Sequence, residues 1–259
     1  MTIINRETSV PPVTFAGRIS DALRHSPLMK LRPAKVRSAV KRRWFEYWVP
    51  RTPLRDTVGL VALGTSYGGW ILPGALIESS WLCYLVGAGG DIAVDLALIR
   101  DYGATVRCFD AVAEFVELAE REASGEARFS AHHAAIALSN GPIRMQVTHD
   151  PNSRSVSAAQ LYDSHDFVEL PGRTITSLMQ QLGDHRIDLF KLDIEGSEYE
   201  VLPSFDLRAI GVKVFAVQLH HTGSVREARR LIAGLKAQGY DPVACRSAVK
   251  LTFVRRDLL

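Results

Sequence analysis

The stretch LCYLVGAGGDIAVDLALIRDYGATVRCFD, from Leu82 to Asp110, decides the fold. Leu82–Val86 is a short apolar run of the kind that forms a buried strand, and it ends at Gly87. Across Asp91–Tyr102 the residues Ile92, Leu96, Ile99 and Tyr102 recur at helical steps, and Gly103 follows as a stop signal. Thr105–Phe109 is a second apolar run that closes on Asp110. Strand, helix and strand in so short a span form a βαβ unit, which brings the two strands side by side and parallel.

The same alternation continues downstream. Val112–Glu122 reads as a helix, and Arg128–His133 and Ile143–Val147 read as strands around the turn signal Asn140-Gly141. Residues 148–170 are polar and irregular, a long loop of the kind that carries function. Thr174–Leu182 is a helix. Ile187–Leu192 is a strand ending at Asp193, and Val214–Leu219 is another ending at His220. Val225–Gln238 is a helix closed by Gly239, and Val243–Cys245 with Val249–Val254 can pair as a terminal hairpin. The expectation is an α/β fold: a mainly parallel sheet with helices on both faces. In such sheets ligands sit beyond the carboxyl ends of the strands. That singles out Gly87–Asp91, Asp110, His133–Ser139, Asp193–Glu198 and His220–Gly223 before any family is considered.

The segment VGAGGD, Val86 to Asp91, lets the chain leave its strand tightly and bring backbone close to a ligand. The helix behind it offers free N–H groups and a positive dipole end. Asp110 closes the next strand, 23 residues beyond Gly87, where a carboxylate can take both ribose hydroxyls of an adenosine-containing cofactor. NAD and S-adenosylmethionine both fit that arrangement. The dinucleotide fingerprint needs a third glycine where this chain has Ile92, which favours the methyl donor.

The segment RIDLFKLDIEGSEYEVL, Arg186 to Leu202, is the most informative. Together with VGAGGD and Phe109–Ala111 it closely resembles the FkbM family of S-adenosylmethionine-dependent methyltransferases. The family hallmark is a strand running into D-h-E-G-x-E, matched here by Asp193, Ile194, Glu195, Gly196, Ser197 and Glu198. LGTSYGGW (Leu63–Trp70) is similar to a segment that precedes the glycine motif in one branch of the family. QLHH (Gln218–His221) and LTFVRRD resemble its fifth and final strands, so the likeness spans about residues 58–257. Ala111 departs from the family, which often has Pro after the ribose aspartate. The resemblance implies a class I methyltransferase (Rossmann-like) fold of seven strands with the last antiparallel. It also implies methyl transfer to oxygen, often on sugar hydroxyls or natural-product alcohols. On that reading Gly87, Ala88, Gly89, Asp91, Asp110, Ala111 and Asp193 bind the cofactor. Tyr67 and Gly68 cover its methionine end, and Ala137 lies by the adenine.

Methyl transfer from a sulfonium is an in-line displacement, and an alcohol attacks poorly unless its proton leaves as it reacts. His220 and His221 stand where the acceptor should sit, and histidine suits a base near neutral pH. Asp193 and Glu195 lie two apart at a strand end and, if extended, share a face. They can orient the hydroxyl, act as base, hold a divalent cation such as magnesium, or cap the helix expected over Glu195–Leu202. The choice among His220, His221, Asp193 and Glu195 stays open. No metal site is assigned, because a full ligand set cannot be assembled from the sequence.

Charge divides the 259-residue chain. Residues 1–56 hold 12 Lys/Arg against 4 Asp/Glu, net +8, and the remainder is net −5. The segment KVRSAVKRRWFEYW, from Lys35, puts Val36, Val40, Trp44 and Trp48 on one face, an amphipathic basic helix. We therefore expect a basic helical extension over 1–56 and a methyltransferase domain over 57–259. The arm would be a lid or a homo-oligomer contact; nucleic-acid or membrane binding through it is the competing reading. Three widely spaced cysteines read as core residues of a reducing cytosol. The interrupted run from Trp70 to Val86 is too short to span a membrane, so a cytoplasmic enzyme is expected. The partner expected is a small hydroxylated acceptor.

Overall fold

A computed structural model describes residues 58–148, 156–157, 165–220, 224–246 and 249–259. The basic extension expected over 1–56 lies outside the described residues, as does His221. The elements in chain order are strands β1 (Leu60–Leu63), β2 (Trp70–Pro73) and β3 (Leu82–Val86), helix α1 (Ala93–Tyr102), β4 (Thr105–Asp110), α2 (Ala113–Glu122) and β5 (Phe129–His133). There follow β6 (Ala135–Ile136), β7 (Gly141–Val147), β8 (Val156–Ser157), β9 (Phe167–Arg173), α3 (Ile175–Leu182), β10 (Leu189–Leu192) and the single turn α4 (Glu198–Val201). The chain closes with β11 (Val214–Gln218), α5 (Val225–Ala237), β12 (Tyr240–Arg246) and β13 (Lys250–Arg255).

The central sheet has seven strands in the order β12-β13-β11-β10-β3-β4-β5. Strands β11, β10, β3, β4 and β5 run parallel, and β13 is antiparallel to both its neighbours. This is the class I methyltransferase-like architecture, with the terminal hairpin supplying the reversed strand. Alternation along each strand feeds two cores. Tyr84, Phe109, Phe190, Phe215 and Phe253 face one side, under α3, α4 and α5. Cys83, Leu85, Val106, Leu189 and Val214 face the other, under α1 and the β1–β2 hairpin. Burying each such side chain contributes on the order of 1.5–3 kcal/mol.

The order also fixes where a ligand can enter. From β3 the chain steps outward through β4 and β5, then crosses back to β10 on the other side of β3. Loops at the carboxyl ends of β3 and β10 therefore diverge and leave a crevice between them, the topological switch point of an open sheet.

Three local readings need correction. Asn140-Gly141 does not join β5 to β7. Strand β7 pairs with β9 in a separate sheet of four strands, β6-β9-β7-β8. Asn140 instead accepts hydrogen bonds from the Thr174 N–H and the Ser177 hydroxyl, anchoring the start of α3. The loop expected over 148–170 contains a strand that begins at Phe167, because Phe167–Arg173 pairs along β7 through Leu170, Val168 and their neighbours. Finally, Asp193 does not cap a helix over Glu195–Leu202. The helix is one turn, Glu198–Val201, and Ser197 occupies its N-cap position. Among the described residues no helix is long and apolar enough to cross a membrane. Cys83 and Cys108 are buried, while Cys245 is only partly so.

Candidate active site

At the switch point lies a cleft of about 710 Å³, within the range of roughly 300–1,000 Å³ usual for small-molecule sites. Its floor is the turn after β3. Gly87 has φ 84 and Gly89 φ 55, backbone in the left-handed region that favours glycine. The Gly87 N–H donates to the Phe109 carbonyl at 2.8 Å, and the Gly89 N–H donates to Asp110 Oδ2 at 3.0 Å. The glycine turn and the acidic end of β4 are thus bonded directly. The other Asp110 oxygen accepts the Val112 N–H at 2.8 Å. Burial raises the Asp110 pKa, opposed by the Val112 and Gly89 N–H groups and by Lys191.

Gly87, Ala88, Gly89, Asp110 and Ala111 all line the cleft, and Ala137 borders it beyond β5 with Ala135 and Ile136. Tyr67 and Gly68 form its rim. Their loop is pinned on three sides: Thr65 bonds both the Gly68 N–H and Asp91, Arg246 donates to the Ser66 carbonyl, and Lys250 donates to that of Tyr67. The Tyr67 ring itself is 89% exposed. Asp91 also lines the cleft, but its oxygens already hold Thr65 and the Ala93 N–H at the start of α1. Burial lowers the Lys250 pKa, with Lys191 and Arg246 adding to the effect and Asp193 opposing it.

The far wall is the segment after β10. Asp193 and Glu195 both line the cleft, but not by the extended geometry expected. The strand stops at Leu192, and Glu195 has φ 51, the one left-handed non-glycine among the described residues. Gly196 follows with φ 98, and the buried Ser157 hydroxyl of β8 donates to the Glu195 carbonyl. His220 sits behind this wall and is not among the cleft-lining residues. Its Nδ1 lies 2.9 Å from Glu198 Oε1, and its Nε2 lies 2.9 Å from the Gln218 amide, 3.4 Å from Glu195 and 3.7 Å from Asp193. Burial works against an imidazolium there, but Glu198, Asp193 and Glu195 outweigh it and hold the pKa up at about 9.

Two participants escaped the sequence reading. Lys191 projects from β10 beneath the glycine turn and donates to the Val86 and Gly87 carbonyls at 3.1 and 2.6 Å. A lone lysine inside the apolar run DLFKL was the available signal. Glu198, named from the sequence only as the last position of the hallmark and given no role, is fully buried and accepts both the Ile194 N–H and His220. Arg144 and Val156 reach the cleft from the four-stranded sheet, and Arg144 lies 3.9 Å over the Phe167 ring.

Residues 98–242 match the sequence profile of the methyltransferase FkbM domain. The chain belongs to the FkbM methyltransferase family. The match runs from within α1 into β12, so it includes Asp110, Asp193–Glu198 and His220 and begins after the glycine turn. No curated protein sequence matches the chain. Among solved structures it is similar to M. capricolum TrmK in complex with S-adenosylhomocysteine. Identity is 11%, with 70% of this chain and 64% of that chain covered and a TM-score of 0.40. It thus spans just under two thirds of the TrmK chain. The Methanococcus jannaschii fibrillarin pre-rRNA processing protein is 10% identical over 69% of this chain and 68% of that one, with a TM-score of 0.41. The METTL16 methyltransferase domain is 10% identical over 86% and 70%, also at 0.41. The FkbM assignment rests on the sequence match, and the architecture rests on the strand order.

The residues present fit S-adenosylmethionine. A Cβ built on Gly89 would meet no atom within 4 Å, so the turn leaves open space against its backbone. The Asp110 carboxylate accepts from the Gly89, Val112 and Ala88 N–H groups, and with about four lone-pair sites on its two oxygens it retains acceptor capacity for a ribose hydroxyl. Ile92, by contrast, packs into the core with Cys108 and Ala119 where the dinucleotide fingerprint requires a glycine.

Proposed function

We propose that this FkbM-family protein is an S-adenosylmethionine-dependent O-methyltransferase. Its acceptor is a hydroxyl on a small sugar-containing or natural-product molecule. The observation that carries the reading is the single cleft at the switch point. There the glycine turn, Asp110 and the acid pair Asp193 and Glu195 face one space. When bound, the cofactor supplies an electrophilic methyl group on a sulfonium. Asp110 holds the ribose, and the β3 turn meets the cofactor with bare backbone. Asp193 and Glu195 are the bases best placed for the acceptor proton, since both line the cleft. His220 does not line it, and both its ring nitrogens are engaged within the protein. We assign it to positioning these acids. Proton removal by a placed group is worth about 10²–10⁴-fold in such a step.

The test is an incubation with S-adenosylmethionine and a panel of glycosides and hydroxylated natural products, read by S-adenosylhomocysteine release and product NMR. A new O-methyl signal is expected. A methyl group found on nitrogen or carbon would refute the acceptor class.

A further inference from the structure

We propose that Lys250 binds the α-carboxylate at the methionine end of S-adenosylmethionine. The inference rests on the cofactor reading above and extends it to a residue that the sequence did not single out. Strand order gives the direction. Asp110, at the end of β4, is the ribose residue, and Ala135, Ile136 and Ala137 border the cleft on the β5 side, the side given to the adenine. The rest of the cofactor must then run the other way, over β3 and β10 towards β11 and β13. Lys250 stands at that end. It opens β13, pairs with Gln218 at the carboxyl end of β11, and lines the cleft. Its ammonium reaches back to the Tyr67 carbonyl at 3.2 Å, in the loop whose Gly68 packs against Asp91.

A carboxylate in a cleft calls for a cation, and the described lining residues offer Arg144, Lys191 and Lys250. The first two are committed elsewhere. Lys191 lies beneath the glycine turn with its ammonium on the Val86 and Gly87 carbonyls. Arg144 stacks 3.9 Å over Phe167 and comes from the four-stranded sheet that also holds Ala135 and Ile136, on the adenine side. Lys250 donates one of its three N–H groups to Tyr67, and its charge lies 5.2 Å from the buried Trp70 ring. Asp193 and Asp91 act on it through their charge, but each has closer partners. Asp193 faces His220 at 3.7 Å, and Asp91 holds Thr65 and the Ala93 N–H. This end of the cleft thus presents both signs, as recognition of a zwitterionic amino acid requires. Burial disfavours the Lys250 ammonium, and Lys191 and Arg246 add to that effect. A bound carboxylate offsets it through charge-assisted hydrogen bonds, about twice as strong as neutral ones.

The experiment is calorimetric titration of the full chain with S-adenosylhomocysteine and with its decarboxylated analogue, which keeps the adenosine, the sulfur and the amine. The unmodified chain should prefer S-adenosylhomocysteine at least tenfold. Lys250→Met keeps the apolar stem; it should weaken S-adenosylhomocysteine at least tenfold and leave the analogue within about threefold. Arg246→Met frees the same loop at the Ser66 carbonyl and should leave the preference within about threefold. In the unmodified chain, saturating S-adenosylhomocysteine should shield Lys250 from acetic anhydride far better than the saturating analogue does, read by peptide mass spectrometry. That readout decides even if the variants misfold. Equal affinity of the unmodified chain for both ligands, or equal labelling of Lys250 under both, would overturn the assignment. Equal loss of both ligands in Lys250→Met would overturn it too, leaving Lys250 as a support of the Tyr67 loop. Each of those failures leaves the cofactor reading standing, whereas no binding of S-adenosylhomocysteine at all would overturn both.

Discussion

Gly87→Ala tests how tightly the glycine turn is packed against the acidic segment. Gly87 has φ 84, where an alanine costs about 1–2 kcal/mol. A Cβ there would lie 2.0 Å from the Asp193 carbonyl oxygen and 3.1 Å from its carbon. Real contacts essentially never fall below 3.0 Å, so one of two backbones must move by about 1 Å. Neither is free to do so. Gly87 is tied to the Phe109 carbonyl and to Lys191, and the Asp193 N–H is tied to Val86. Overpacking of this kind adds about 1–3 kcal/mol. Together the two terms predict about 2–5 kcal/mol of destabilisation, read by urea denaturation. The same displacement moves Asp193, and a misplacement of about 1 Å can cost on the order of 10²-fold in rate. A variant that loses less than about 0.5 kcal/mol and keeps its turnover would refute the reasoning.

Gly89→Ala makes a contrasting pair, since its Cβ meets nothing within 4 Å. It should lose only about 1–2 kcal/mol for its φ of 55, yet lose S-adenosylhomocysteine affinity by calorimetry, because the methyl enters the cleft. Asp110→Ala should weaken the same ligand at least tenfold, having removed both the ribose acceptor and the partner of the Gly89 N–H. Asp95 in α1 is buried, and burial, opposed by Lys191, raises its pKa from 3.8 to about 7. Between those values the folded state binds a proton that the unfolded state has released. Stability should therefore fall as pH rises from about 4 to 7, by up to about 1.4 kcal/mol per pH unit. Asp95→Asn should flatten that slope in denaturation midpoints measured across the window. A slope unchanged in the variant would show that Asp95 is not its source.

Local periodicity carried the fold a long way. The run Leu82–Val86, the stripe of α1 and the closing Asp110 stand where their spacing put them, because a buried parallel strand and an amphipathic helix are both written in neighbouring residues. The pairing of β7 was not legible in the same way. Asn140-Gly141 is a good hairpin signal, but the partner of β7 lies twenty or more residues on, and only tertiary packing selects β9. At the site, Gly87, Gly89, Asp110 and Asp193 could be named because glycine and aspartate at strand ends carry chemistry by type. The hub role of Glu198 could not. A glutamate on the first turn of a helix reads as a capping acid, and its burial depends on the return of His220 from β11. Lys191 was hidden for the same reason. Its carbonyl partners come from β3, more than a hundred residues earlier.

Calorimetric titration of the full chain with S-adenosylhomocysteine, set beside NAD under the same conditions, tests the central claim most directly. The account predicts saturable binding of one S-adenosylhomocysteine per chain, at least tenfold weaker in Asp110→Ala, with NAD binding weak or undetectable. Tight NAD binding without S-adenosylhomocysteine binding would contradict it.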